Sequence, residues 1–204
     1  MNRSWRMVPV TAILALTIFA VPMQASASTQ YSLHVHGMVA EAYFGAWTSP
    51  TLYTEVYVNA GKAIGGNQTS YTFVIADQID FSTNPNGNVV TLYVGQIPST
   101  ALQISSKLSS ASLSGAIPVT DINNNPATLW VNLSWTANGS PVKNVSNNNF
   151  SAQGFHITSH LDGTSVNASA WGSISDGTID FTSGSPAQYA DLNKVTESET
   201  VTTH

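Results

Sequence analysis

The sequence predicts an all-β fold, a single antiparallel domain of about eight or nine strands. Runs that alternate apolar and polar residues fill most of the chain, and strand formers such as Val, Thr, Tyr and Ile dominate them. Asn-Gly and Asp-Gly pairs, which supply the positive φ angles of tight hairpin turns, stand beside these runs. The four pairs are Asn86-Gly87, Asn138-Gly139, Asp162-Gly163 and Asp176-Gly177. Because long consecutive hairpins close readily into a meander, a barrel is favoured over a two-sheet sandwich.

Residues 1–27 have the pattern of a secretory signal peptide. Arg3 and Arg6 precede the apolar run 7–21, and Ala25-Ser26-Ala27 is a small-x-small cleavage site. The apolar run is shorter than the roughly 20 residues of a membrane-spanning helix, and cleavage would remove it. We therefore expect the mature chain to be secreted or held at the cell surface, with no membrane span after signal removal.

The charge balance narrows the classes of partner and chemistry. Outside the leader there is no arginine, and four lysines stand against eleven acidic residues, a net charge of about −7. Such a chain has little means of binding phosphates, so nucleic acid is not an expected partner. The absence of cysteine excludes thiol catalysis, thiolate metal sites and disulfides. Abundant Ser, Thr and Asn indicate a neutral, hydroxyl-rich surface, which is typical of an exported protein.

Four strands are predicted in the first half of the chain, each bounded by breaker residues. Residues 31–44 and 52–59 are separated by a segment with Gly, Ser and Pro. Residues 70–81 and 89–97 flank Asn84-Pro85-Asn86-Gly87, which predicts a hairpin turn.

The second half continues the pattern of strands and loops. Residues 101–119 predict one or two strands broken near 107–110, and the loop 121–126 has three consecutive asparagines. The strands predicted after this loop span 127–136, 150–161 and 164–175, with a short candidate at 178–181. The all-β domain is placed at 28–187. Residues 188–204 are polar and poor in aromatic side chains, and we expect them to form a disordered tail.

Period-two alternation places four of the five histidines and two tryptophans on polar faces of the predicted strands. The side chains that we expect to line a ligand site are Trp130, Asn132, His156, His160, Asn167 and Trp171. A hairpin through Asp162-Gly163 would set His156 and His160 beside Asn167 and Trp171. Closure of a barrel would bring His34 and His36 to the same face.

A transition-metal site is one interpretation of the histidines. His34 and His36, at i and i+2 on one strand face, lie about 7 Å apart, and His160 could supply a third ligand. Three imidazoles suit zinc or copper. In the alternative, these histidines are neutral residues that form hydrogen bonds on a half-polar sheet.

The motif His34-x-His36 followed by Glu41 resembles the first metal motif of the cupin family. The resemblance covers residues 31–45 and implies a metal-binding protein or a metal-dependent enzyme. Alternation places Glu41 on the face opposite the histidines unless a bulge at Gly37 changes the register.

From these residues we predict a protein that binds a ligand and does not catalyse a reaction. Trp130 and Trp171 stand among Asn, Ser and Thr, where their rings could stack on a sugar while amides and hydroxyls bond its hydroxyl groups. A small ligand or glycan is the expected partner. The alternative is a structural matrix or coat protein that self-associates. No catalytic residues are assigned, because no serine, histidine and acid follow a recognisable order.

Overall fold

The structure is a computed structural model that describes residues 30–64, 69–98, 101–151 and 155–203. It confirms the all-β class: the described residues form one antiparallel sheet of ten strands and no helix. The strands are β1 (Gln30–Trp47), β2 (Leu52–Ala63), β3 (Tyr71–Asp80), β4 (Asn88–Pro98), β5 (Gln103–Ile104), β6 (Ser110–Asp121), β7 (Pro126–Ala137), β8 (Val142–Ser151), β9 (Phe155–Ser175) and β10 (Tyr189–Thr203).

Eight of the strands pair in a closed ring. The order is β10-β1-β2-β3-β4-β6-β7-β9, and β9 pairs with β10 to close it. Two strands lie outside the ring: β8 pairs with β9, and the short β5 pairs with β6. The joint between β4 and β6 is the shortest, with two matched residue pairs. A continuous barrel and two sheets that meet at their edges both accommodate this ring.

The strands β2 and β3 are buried on both faces, which gives the domain two apolar cores. The first core packs one face of β1, β2 and β3 against β6 and β7, with Val58, Val74 and Leu133 among its members. The second core packs the opposite face against β4 and the start of β9, with Phe73 and Ile157 among its members. A strand covered on both sides has consecutive apolar residues, as the run from Phe73 to Ala76 shows.

The predicted hairpin through Asp162-Gly163 is wrong, because β9 runs straight through this pair as one strand of 21 residues. Gly163 is opposite Val195 of β10 and Asn144 of β8, so it sits in the middle of the sheet. A Cβ at this position would meet the backbone oxygen of Lys194 at 2.4 Å. Glycine is therefore needed here for close approach between strands and not for a turn.

The other three turn signals lie between strands. Gly87, with φ of 78°, closes the hairpin of β3 and β4, as predicted. Gly177, with φ of 95°, ends β9 and turns the chain back so that Asp180 bridges Ser175. The pair Asn138-Gly139 separates β7 from β8, yet these strands do not form a hairpin, because both pair with β9.

The predicted disordered tail is also wrong for residues 189–203, which form β10 between β1 and β9. Leu192 and Val201 of this strand are fully buried. The polar composition misled the prediction because residues 196–200 are all polar, and the buried side of the strand itself carries Glu197 and Glu199. The predicted strand 150–161 is split: it covers the end of β8 and the start of β9, with residues 152–154 outside the described ranges.

The predicted signal peptide, residues 1–27, lies outside the described residues. Within the described ranges, no helix has the length and apolar character that a membrane crossing requires.

Deleting residues 189–204 tests the role of β10. We expect the truncated chain to lose cooperative thermal unfolding, because the deletion removes Leu192, Val195 and Val201 from the cores and leaves β1 and β9 without a partner on one edge. Circular dichroism during heating is the measurement. A truncated chain that unfolds at the wild-type temperature would show that β10 contributes nothing to the fold.

Candidate functional site

Pairing of β1, β10, β9 and β8 brings the predicted histidines onto one exposed surface. His34 is opposite Ser198, Ser198 is opposite His160, and His160 is opposite Asn147. Opposed residues of antiparallel strands point to the same side, so these four side chains form one row. The surface, called the histidine face below, consists of Ser32, His34, His36, Thr196, Ser198, Thr200, His156, Thr158, His160, Asn147, Asn149 and Ser151.

The histidines of this face bond to neighbouring side chains. The Nδ1 atom of His160 lies 2.8 Å from the side-chain oxygen of Asn147, and Nδ1 of His36 lies 2.9 Å from the hydroxyl of Thr196. His156 is 2.7 Å from the hydroxyl of Ser151. Among the described residues, no three His, Cys, Asp or Glu side chains converge where they could hold a metal ion. His34 and His160 are separated by β10, about 10 Å apart at Cα.

The cupin-like ligand set is not assembled. The register of β1 against β10 runs without interruption through Gly37, so no bulge switches the faces. Glu41 therefore lies on the face opposite His34 and His36, as strict alternation requires. Its side chain accepts a hydrogen bond of 3.4 Å from the Tyr57 hydroxyl at the second core, while the histidines are exposed.

A shallow polar groove of about 240 Å³ crosses the β8 side of the histidine face. Its lining has no Asp, Glu, Lys or Arg and consists of Asn147, Asn148, Asn149, Thr158, Ser159, His160, Ser198 and Thr200. This volume is below that of most small-molecule pockets, which enclose about 300–1,000 Å³.

The two tryptophans lie on a different surface, formed by the outward sides of β6, β7 and the second half of β9. Trp130 is 60% exposed and Trp171 is 52% exposed. Ser134 is opposite Trp171, and Trp130 is four positions along β7 from Ser134, so the two tryptophans lie about 14 Å apart at Cα. The surface, called the tryptophan face below, consists of Ser110, Ser112, Ser114, Ala116, Thr128, Trp130, Asn132, Ser134, Thr136, Asn167, Ser169, Trp171, Ser173 and Ser175.

The tryptophan face is an open sheet surface, with charge only at its edge, where the exposed Asp180 bridges Ser175. All of its residues belong to strands, and none of them is Asp, Glu, Lys, Arg or His. The side chains between them face the first core: Leu129, Val131 and Leu133 are buried, and Trp135 is 1% exposed. The alternation in β7 therefore separates a buried tryptophan from an exposed one within six residues.

The histidine and tryptophan faces lie on opposite sides of β9. His156 and His160 share one side of this strand with Ala170 and Ile174, which are buried in the first core. Asn167 and Trp171 point to the other side. The predicted site is thus divided: the structure joins Trp130, Asn132, Asn167 and Trp171 on one face, and joins His34, His36, His156 and His160 on the other.

Sequence reasoning missed a group of buried carboxyls on the inner sides of β1 and β10. Glu197 is 1% exposed and Glu199 is 3% exposed. The Asn59 amide donates to Glu197 at 2.9 Å, and the Tyr57 hydroxyl donates to Glu199 at 3.1 Å. Asp191 accepts a hydrogen bond of 2.8 Å from Asn193. Treating 189–203 as a strand would have revealed this group, because the glutamates have the same parity as the buried valines of β10.

Burial raises the pKa of these carboxyls, because desolvation penalises the ionised form. The pKa of Glu199 is raised to about 8, by desolvation and then by the charge of Glu197. The pKa of Glu197 is raised to about 7 by desolvation and by Asp191, whose own pKa is raised by desolvation to about 6. Within the described residues, one oxygen of each glutamate has no hydrogen-bond partner, so its ionised form would be poorly solvated.

A second buried acidic pair lies on β2 and β3. Glu55 is directly opposite Asp77 in the register, and both are buried. The hydroxyl of Tyr43 donates a short hydrogen bond to Glu55. Desolvation raises the pKa of both carboxyls, and the charge of Glu55 adds to the increase at Asp77. Like Glu197 and Glu199, these two carboxyls are easier to bury when protonated. They are buried and therefore cannot contact a ligand at the surface.

Comparison with known protein families, with curated protein sequences and with solved structures finds no match to this chain.

The buried glutamates predict that stability falls as pH rises. Native Glu197 and Glu199, with pKa near 7 and 8, hold protons that the unfolded chain releases near its ordinary pKa of 4.5. The native state therefore binds more protons between about pH 4.5 and 8, and the free energy of unfolding decreases across this interval. At about 1.4 kcal/mol for each unit by which the two native pKa values exceed 4.5, we expect a loss of up to roughly 8 kcal/mol, measured by urea unfolding at a series of pH values.

The paired substitution E197Q/E199Q isolates this effect. Glutamine keeps the shape of the side chain but does not ionise, so the double variant should show a flatter dependence on pH and exceed the wild type in stability at pH 8. The exposed Asp162 supplies a matched control, since D162N also removes one acid from the sheet and should keep the wild-type slope. Wild-type stability that increases from pH 5 to pH 8 would contradict the assignment.

Proposed function

We propose that this chain is an exported binding module that holds a neutral polysaccharide on its tryptophan face. The observation that supports this function is the exposure of Trp130 and Trp171, each more than half exposed, on a surface whose strand residues are all uncharged. Large aromatic side chains are usually buried, and exposed ones on a folded surface commonly mark a place of binding.

Sugar chemistry fits the residue types of this face. An indole ring can pack on the apolar C–H side of a pyranose, while hydroxyls and amides bond its hydroxyl groups. Asn132, Ser134 and Ser173 stand between the two tryptophans and supply such groups. The face has no Lys or Arg to pair with an anion, and Asp180 at its edge would repel one, which favours a neutral sugar over an acidic or sulfated one.

The flat shape favours a polymer over a free sugar. A small ligand needs a concave pocket to bury most of its surface, and the tryptophan face is open. Two aromatic platforms about 14 Å apart can instead hold two places on one extended chain. Each contact is weak, and their combination raises the effective affinity because the second contact is intramolecular once the first has formed. Rigid strands keep both rings in place before binding, which lowers the entropic cost of binding.

Export to the cell surface belongs to this proposal. The basic residues, apolar run and small-x-small site of residues 1–27 support it, as does a surface rich in Ser, Thr and Asn. A module outside the cell would meet polysaccharides of walls, capsules and biofilms.

A pull-down on insoluble polysaccharides tests the proposal. Purified protein is mixed with cellulose, chitin and mannan, and the protein left in solution is measured. We expect depletion by at least one polymer, a Kd at least roughly tenfold weaker for W171A or W130A alone, and loss of binding for W130A/W171A. Binding should change little with salt, because the residues around the two tryptophans are neutral and Asp180 lies at the edge of the face.

The histidine face supplies the matched control. H34A/H160A removes two exposed side chains from the other surface and should bind as the wild type does. The tryptophan variants should keep the wild-type free energy of unfolding within about 0.5 kcal/mol, since both side chains are exposed. Binding that survives W130A/W171A and is lost in H34A/H160A would refute the assignment and move the site to the histidine face.

A further inference from the structure

The strand β8 has one free edge. Among the described strands longer than two residues, β8 pairs with β9 alone, while every other strand has a partner on both sides, although β4 and β6 are joined over two residue pairs only. It is ten residues long, and no described strand pairs with its outer edge. An unpaired edge of this length is a template for pairing with a further chain.

Lys143, near one end, is the one usual edge protection that β8 carries. Its register against β9 is continuous over Val142–Ser151, so no bulge twists the edge away. The strand contains no proline, and its one charged residue is Lys143, near one end. Val145 is 58% exposed in the described chain. Natural sheets normally guard such an edge with charge, proline or a bulge.

We propose that two copies of this chain pair through their β8 edges, antiparallel and about a two-fold axis at Asn147, to form a dimer. In this register Val145 of each copy is opposite Asn149 of the other, and Lys143 is opposite Ser151. The two-fold axis stands perpendicular to the sheet, so side chains of the same face remain together. The histidine faces of both copies then form one continuous surface, with the Asn147 side chains side by side at its centre.

The charge of this edge favours a second copy as the partner. The chain carries a net charge of −5, so most contacts between two copies bring like charges together. The β8 edge has no acidic residue, and the antiparallel register places the two Lys143 side chains at opposite ends of the paired strands. In a two-fold dimer the same surface of both copies meets, so the strand must be able to pair with a second copy of itself, and an antiparallel β8 edge can do so. This inference does not depend on the proposed function, because it concerns the opposite side of β9.

Paired substitutions that add charge test the dimer by its mass in sedimentation velocity at micromolar concentration. The wild type should sediment as a dimer. V145K/N149K places lysines opposite each other and should sediment at half the wild-type mass. V145K/N149E places lysine opposite glutamate at both positions and should remain a dimer. The control S112K/T128K adds the same charge as the first variant to the tryptophan face and should also remain a dimer.

Each outcome decides the proposal. A monomeric wild type overturns it, and so does V145K/N149K that keeps the dimer mass. Dissociation of V145K/N149E together with V145K/N149K would contradict the antiparallel register, because the two variants differ only in the sign of one charge. Circular dichroism of all variants identifies any loss of folding. A folded V145K/N149E dimer shows that substitution at these positions is tolerated.

Discussion

The straight course of β9 through Gly163 is the constraint on which the rest of this structure depends. Gly163 lets β9 approach β10 so closely that a Cβ would meet the Lys194 carbonyl oxygen at 2.4 Å. With the strand unbroken, its two sides keep their parity over 21 residues. The side that carries His156 and His160 is exposed at first and then covers the first core at Ala170 and Ile174. The other side lines the second core and emerges as the tryptophan face.

The strand β10 contributes apolar side chains to both cores and also buries acidic side chains. Its inner side has apolar residues that close the ring and two glutamates that are almost fully buried. Tyrosine and asparagine side chains from β2 satisfy part of the hydrogen bonding of these acids. Because protonated carboxyls are easier to bury than ionised ones, the same strand that completes the fold makes it more stable in acid than at neutral pH.

Much of the fold follows from the sequence, and most of the errors have one cause. Alternation correctly separates Trp130 from Trp135, and Asn86-Gly87 correctly marks a hairpin. Asp162-Gly163 looks the same locally but lies between two neighbouring strands, and only the tertiary pairing distinguishes a turn from a close approach. The histidines and tryptophans were expected on one face because that false hairpin folded β9 back on itself. Residues 189–203 looked disordered because the buried side of β10 carries carboxyls such as Glu197 and Glu199, so the strand lacks the apolar alternation that marks a half-buried strand.

Native-state amide hydrogen exchange of β9 and β10 would test this arrangement. Residues 156–165 of β9 have strands on both edges, so every amide of this segment should find an acceptor, including that of Gly163. We expect these amides and those of residues 191–201 to exchange as slowly as the amides of β2 and β3, near the rate of global unfolding. Rapid exchange of the Asp162 and Gly163 amides would contradict a continuous β9. Exchange of the amides of residues 191–201 at the rate of an unfolded chain would contradict the pairing of β9 with β10.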